Sequence, residues 1–316
     1  MKQLFSTAAL VALLAPGAPE RTRTQEEVEL RWRGKVGDVL RYRMTQHQTT
    51  EFPMMPEGME SESAFVIRQE VKEVSPDGIG TLDVGYEALR VDIGGPMPKS
   101  YDSTREGEEA GENDAELAAM FEPILDARLH MKIDPSGHIL EIDGLAEVME
   151  EVFDQLENPA VGETFTQMFG EDSLRRMMEV NIFPSEPVSA GDTWQRTAEL
   201  EAPMLGTMKF VFESEFQGVE KHAGSECAKI GVSGEMEIER AEDMSNPMEV
   251  SLDDSDIAGT MFFALDNGYL IESSMEMGME FSFSAGEGKE DGMEMQMSST
   301  TKQRMLRIGE DDPFFE

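Results

Sequence analysis

The chain has 316 residues, 65 acidic against 26 basic, for a formal net charge of −39. That length supports one large core or two smaller ones, and so large an excess of negative charge argues strongly against DNA or RNA as a partner. Cys227 is the only cysteine, so no disulfide forms within the chain and stability has to come from burial.

Lysine is scarce, at ten residues, and scarce lysine beside abundant acid is expected of a protein working in salty water, where ions screen the surface. A role for the charge itself, in binding calcium or a basic partner, is the alternative. The first residues, MKQLFSTAALVALLAPGA, read as a secretory leader: Lys2, an apolar run from Leu4 to Ala15, then small residues. Cleavage is expected after Gly17, which predicts an exported protein, periplasmic or extracellular. The run is too short for a stable membrane span, and no cysteine follows it to carry a lipid.

From Val28 the pattern has period two. Val28, Leu30 and Trp32 alternate with Glu29, Arg31 and Arg33; beyond a turn at Gly37-Asp38, Leu40, Tyr42 and Met44 alternate with Arg41 and Arg43. This predicts strands with one buried face. Residues 65–93 continue as a hairpin turned at Pro76-Asp77-Gly78. The acidic, glycine-rich stretch 94–116 is expected to be a loop; its carboxylates lack the fixed spacing of a calcium loop. Helical pattern follows at 115–130, where Pro123 is expected to end or kink the helix. A hairpin closes at Asp134-Pro135-Ser136-Gly137, and Leu145, Val148, Met149, Val152, Phe153 and Leu156 form one apolar helical stripe. A further helix or two is expected between 165 and 183, stopped before Pro184.

From Val188 the β pattern returns and echoes the first part. VGDVLRYR (36–43) corresponds to AGDTWQRT (190–197), FVIRQEVKEV (65–74) to FVFESEFQGV (210–219), and MKIDPSGHILEI to FFALDNGYLIES. Three matches in the same order suggest an internal duplication.

The final segment places Met275, Met277, Met279 on one run and Met293, Met295, Met297 on the next. Folded as a hairpin centred near Glu287, Phe281 faces Met293, Met279 faces Met295 and Met277 faces Met297. All are odd-numbered, so all share one side of the sheet, with Glu276, Glu280, Glu294 and Gln296 on the other. Arg31, Arg33, Arg41 and Arg43 are expected on outer faces, where they neutralise that acid across the sheet. Three readings of the thioether face stand: packed core, a deformable pocket for a lipid-like ligand, or a Cu(I) site. No His accompanies the methionines, which weighs against copper.

Elsewhere the residues name no reaction. His47, His130, His138 and His222 lack metal-ligand spacing, Gly231-Val232-Ser233-Gly234 falls short of a nucleophile elbow, and no phosphate-binding glycine motif occurs. Cys227 reads as a buried strand cysteine. No catalytic residue, metal ligand or cofactor is assigned.

The segments SYDSTREG, LHMKIDPSGHILEIDGL, IFPSEPVSAGDTW and GTMKFVFESEFQGV, in that order, resemble a family of exported bacterial proteins of unknown function. The resemblance spans most of the chain after the leader and implies no catalytic residues. The arrangement is also similar, at the level of fold, to periplasmic lipoprotein carriers.

The expected architecture is α+β: a curved antiparallel sheet from two related halves packed on a few central helices. The divisions are a leader at 1–17, a first β-rich half at 18–110, a helical section with one hairpin at 111–186, and a second β-rich half at 187–316. The expected function is non-catalytic binding of an apolar ligand or a protein partner, with Met275, Met277, Met279, Phe281, Met293, Met295 and Met297 lining the site. A secreted hydrolase and an envelope scaffold without a small ligand are the competing readings.

Overall fold

The computed structural model describes residues 27–53, 55–106, 109–155, 183–202, 206–239, 248–285 and 293–315. The leader, the helices expected between 165 and 183, and the turn expected near Glu287 lie outside the described residues.

Six strands come first: β1 (Val39–Phe52), β2 (Met55–Val74), β3 (Gly80–Ile93), β4 (Lys99–Asp102), β5 (Leu129–Ile133) and β6 (Ile139–Asp143). Six follow: β7 (Thr193–Ala202), β8 (Gly206–His222), β9 (Ser225–Glu239), β10 (Met248–Ala264), β11 (Leu270–Ala285) and β12 (Met293–Ile308). They form one antiparallel sheet in the order β6-β5-β3-β2-β1-β12-β11-β10-β9-β8-β7, with β4 beside β3. Strands β1 and β12 join the two series edge to edge.

Two hydrogen bonds show that this sheet curls. The amide of Trp32 donates to Pro135, in the β5–β6 turn, and the next amide, Arg33, donates to Asn267, in the β10–β11 turn. In the sheet order β5 and β11 are five steps apart, about 24 Å if flat. Adjacent amides cannot reach acceptors that far apart, so the sheet bends until both turns meet the strap at residues 28–33. Gly268 shows how close the approach is: a Cβ there would stand 1.9 Å from the Arg31 carbonyl.

The strap keeps the alternation of its sequence but is not a sheet strand; its one ladder contact is the bridge Val28 to Val188. Leu30 packs with β8, β9 and β10 through Phe216, Ile230 and Ile257, while Trp32 packs with β1, β2 and β3 through Leu40, Val71 and Leu82. Glu29 pairs with Arg31 and Arg33 at 2.8 Å each, on the exposed side. The face touched by Leu30 and Trp32 is the inner face of the sheet.

Among the described residues there are two α-helices, α1 (Ala115–Asp126) and α2 (Leu145–Gln155). Asp114 caps α1, accepting from the amides of Glu116 and Leu117. Pro123 sits inside the helix, which runs on to Asp126 rather than ending. The helix α1 lays Leu117 on Leu89, Val91 and Tyr101, and α2 lays Leu145 and Met149 on Leu82, Met131 and Ile142. Both thus cover the inner face at β2–β6. Among the described residues the protein is a mostly β, open antiparallel sheet with two short helices lying on the side of β2–β6, rather than clearly a sheet packed on central helices. The 94–116 stretch is only partly loop: β4 falls within it, because Tyr101 is buried against Phe121 of α1.

The segments matched in sequence occupy matching places. Gly37 and Gly191 both take positive φ, 91° and 97°, the conformation glycine adopts without penalty. Gly37 donates to Val71 and Val71 to Asp38; Gly191 donates to Phe216 and Phe216 to Asp192. The Asp38 and Asp192 carboxylates each accept from the amide three residues upstream.

On the outer face Arg41 holds Glu87 at 2.8 Å and Arg68 holds Glu70, which holds Lys72. Of the arginines expected to neutralise the last hairpin, Arg31 and Arg33 pair instead with Glu29 of the strap, Arg41 pairs with Glu87 of β3, and Arg43 donates to the Pro313 carbonyl. Lys302 and Arg304 take that role, on Glu276 and Glu272.

Candidate functional site

Strands β11 and β12 pair as a hairpin with the expected parity but a different register. Phe281 faces Met297, Phe283 faces Met295, Met279 faces Ser299, Met277 faces Thr301 and Met275 faces Gln303. The pairing is displaced by two residues on each strand from the expected one. An even displacement leaves every side chain on its predicted face, so Glu276, Glu280 and Gln296 are exposed while Met275, Met277, Met279, Met295 and Met297 are half-buried. Phe281 is buried, at 7% exposure. Met293 pairs with Ala285 in the ladder; its side chain is outside the described residues.

The predicted residues fall into two groups on the inner face. Met275 and Met277 pack against the cluster beneath the strap, with Ile257, Met261 and Phe263. Met275 lies across Gly259, where an added Cβ would come within 2.8 Å of its Cγ. Farther from the strap, Phe281 joins Met236 and Val250 as a buried nucleus, ringed by half-buried Met208, Phe210, Leu252, Met279, Phe283 and Met297. The β9–β10 ladder stops at Gly234 and Ile257. Beyond it the Ser255 hydroxyl bonds the backbone of Met236, accepting from its amide at 2.8 Å and donating to its carbonyl at 3.1 Å.

A second feature was missed by a reading that stopped at the methionines. Continuing across β12, β1 and β2 beyond the Met44–Met305 pair, the inner face turns polar without turning charged; nearer the strap, Arg307 of β12 shares that face opposite Tyr42. Gln303 of β12 faces Gln46 of β1, and Gln46 faces Ser63 of β2; Thr301, Gln48 and Ser61 form the next row. Thr50 and Ser299 form a third and are both buried. Gln48 donates to the Ser299 hydroxyl at 3.2 Å and Gln303 to the Met44 sulfur at 2.9 Å. The signal was present in TQHQTT and SSTTKQ, whose inward-facing alternate positions are Gln, Thr and Ser.

The outer face of the same strands is ionic. A cavity of about 320 Å³ at these strands is lined mainly by outward-facing Thr45, His47, Glu62, Arg90, Lys302 and Arg304, and Gln46, Ser63, Met275 and Gln303 also border it. Beside it Glu272 accepts from Arg304 at 2.8 Å and lies 2.7 Å from His222, whose ring stacks on Phe262. Burial works to raise the Glu272 carboxyl, but the bonds from Arg304 and His222 outweigh it and hold the group below its ordinary value. Cys227 is fully buried and burial pushes its thiol up. The four histidines stand apart, each beside its own carboxylate: Glu62, Asp83, Asp134 and Glu272. Among the described residues no group of three or more His, Cys, Asp or Glu is placed to hold a metal, and no helix is long and apolar enough to cross a membrane.

The family model that matches, described as a family of unknown function (DUF6263), covers residues 77–268, and the chain belongs to that family. No curated protein matches. Among solved structures the chain is similar to lipovitellin, in a structure of its lipid–protein interactions, at 11% identity and a TM-score of 0.41, over 87% of this chain and 25% of that one. The chain therefore spans about a quarter of the lipovitellin chain. It also matches the COG4313 outer membrane channel from Pseudomonas putida F1 at 8% identity and TM-score 0.21, over 88% and 97% of the two chains. Pseudomonas aeruginosa OccK2 (OpdF) matches at 8% identity and TM-score 0.17, over 87% and 100%. Likeness at these scores has no bearing on function.

Proposed function

We propose that this chain is an exported, non-catalytic protein that takes an apolar, lipid-like ligand on the inner face of β8–β12. The observation that carries the reading is the ring of half-buried Met208, Phe210, Leu252, Met279, Phe283 and Met297 around buried Phe281. A packed core would bury such side chains fully; here apolar area stays available, and unbranched thioethers reshape to a ligand at little cost. Removing each 100 Å² of that area from water contributes about 2.5 kcal/mol. Export rests on the leader pattern at 1–17, and the paired Gly-Asp turns favour two related halves.

The test is native mass spectrometry, with lipid extraction, of protein purified without detergent from its secreting host. A stoichiometric apolar adduct, lost in Met279→Glu and Met297→Glu variants that keep the parent's circular dichroism, is the expected result. Adduct-free protein that also takes up no added lipid would favour the scaffold reading.

A further inference from the structure

We infer that the ligand is an amphiphile with an uncharged, hydrogen-bonding head, held where the methionine face meets the Gln/Thr/Ser patch of β1 and β12. This rests on the apolar-ligand reading and narrows it. Three rows of the inner ladder define the junction: Gln46, Gln303, Met275; then Gln48, Thr301, Met277; then Thr50, Ser299, Met279. Each row passes from amide or hydroxyl to thioether in one strand step, about 5 Å, so a head and the start of its chain fit side by side.

No charged residue stands in these rows, although 29% of the chain is charged, and Lys302, Arg304, His47 and Glu62 between them all face outward. A charged head would lose water on this patch and find no counter-charge within these three rows, Arg307 standing two rows beyond them toward the strap. A hydroxyl or carbonyl finds Gln and Thr. Among the described residues the side chains of Gln46, Ser61, Ser63 and Thr301 make no hydrogen bond within the chain. Their capacity faces the inner space, whereas Ser255, on the same face, spends its hydroxyl on the backbone.

The experiment is isothermal titration calorimetry with three probes of one chain length, monodecanoylglycerol, decanoate and decyltrimethylammonium, at low salt and at 1 M salt. Molar salt screens the long-range field of the net charge. The expected result is that monodecanoylglycerol binds at least about tenfold tighter than either ion in both salts. Gln46→Leu and Thr301→Val should each weaken it by about threefold to tenfold, the loss of one hydrogen bond, and leave the ions unchanged. Equal binding of all three probes, a preference that vanishes in 1 M salt, or variants without effect would overturn the head-group assignment while the apolar site stands. Failure of every probe to bind would overturn the apolar site itself and this assignment with it.

Discussion

At the scale of single residues, a few contacts decide whether the inner face can exist. Gly268 stands at φ 69° with its α-carbon under the strap. Alanine there combines an unfavourable left-handed backbone with a collision against the Arg31 carbonyl. Gly268→Ala should cost about 2–4 kcal/mol in urea unfolding; a cost within the error of the fit would mean that the strap does not hold the turn. The neighbouring Tyr269 donates to the Asp38 carboxylate at 2.5 Å, tying the β10–β11 turn to the entry of β1. Glu272 supplies a pH test. Its carboxyl is held below the ordinary 4.5, so its contribution is complete above that value and fades as pH falls through it. The stability difference between wild type and Glu272→Gln should shrink as pH falls below about 4.5. A difference that did not shrink there would contradict a Glu272 carboxylate held by Arg304 and His222.

At the scale of elements, the hairpin β11–β12 separates what a pattern determines from what it leaves open. Alternation in SSMEMGMEF and MEMQMSS assigns each side chain to a face, and any even slip of register preserves that assignment. Register itself depends on where the chain turns, and GEGKEDG contains three glycines, none of which alone marks a two-residue turn. The faces were therefore legible and the partners were not. A pair of cysteines tests the partners: in a Cys227→Ala background, Met279→Cys with Ser299→Cys should oxidise to a disulfide, while Met279→Cys with Met295→Cys should not. The reverse outcome would restore the shorter register. The strap shows the converse case. Leu30 and Trp32 alternate as in a strand and are buried as in a strand, yet the Trp32 and Arg33 amides bond to turns of distant segments, which no local period encodes. The polar patch was overlooked for a different reason: Gln, Thr and Ser in strands are unremarked unless the face they share is known.

At the scale of the whole molecule, curvature and charge matter most. Consecutive strap amides bond to turns on different hairpins, and beneath them the buried Trp32 ring packs among Leu40, Val71 and Leu82. Trp32→Ala should therefore loosen the sheet at that end and cost about 3–5 kcal/mol. A net charge of −39 adds self-repulsion that salt relieves. The thermal midpoint should rise between low and molar salt; a flat profile would contradict adaptation to salty surroundings. The resemblance read from the segments at 100–107, 129–145, 182–194 and 206–219 agrees with the family that covers 77–268. Among the described residues the two helices cover the inner face only on the side of β2–β6, away from β7–β12.

The central claim is that the thioether face of β11 and β12 receives an apolar ligand. Its most direct test is a methyl-13C spectrum of the methionines, assigned by single Met→Ile variants and titrated with monodecanoylglycerol. Met275, Met277, Met279 and Met297 should shift together and saturate, while Met97, 82% exposed on a turn, stays in place. Unmoved signals from those four, or shifts no larger than that of Met97, would contradict the claim.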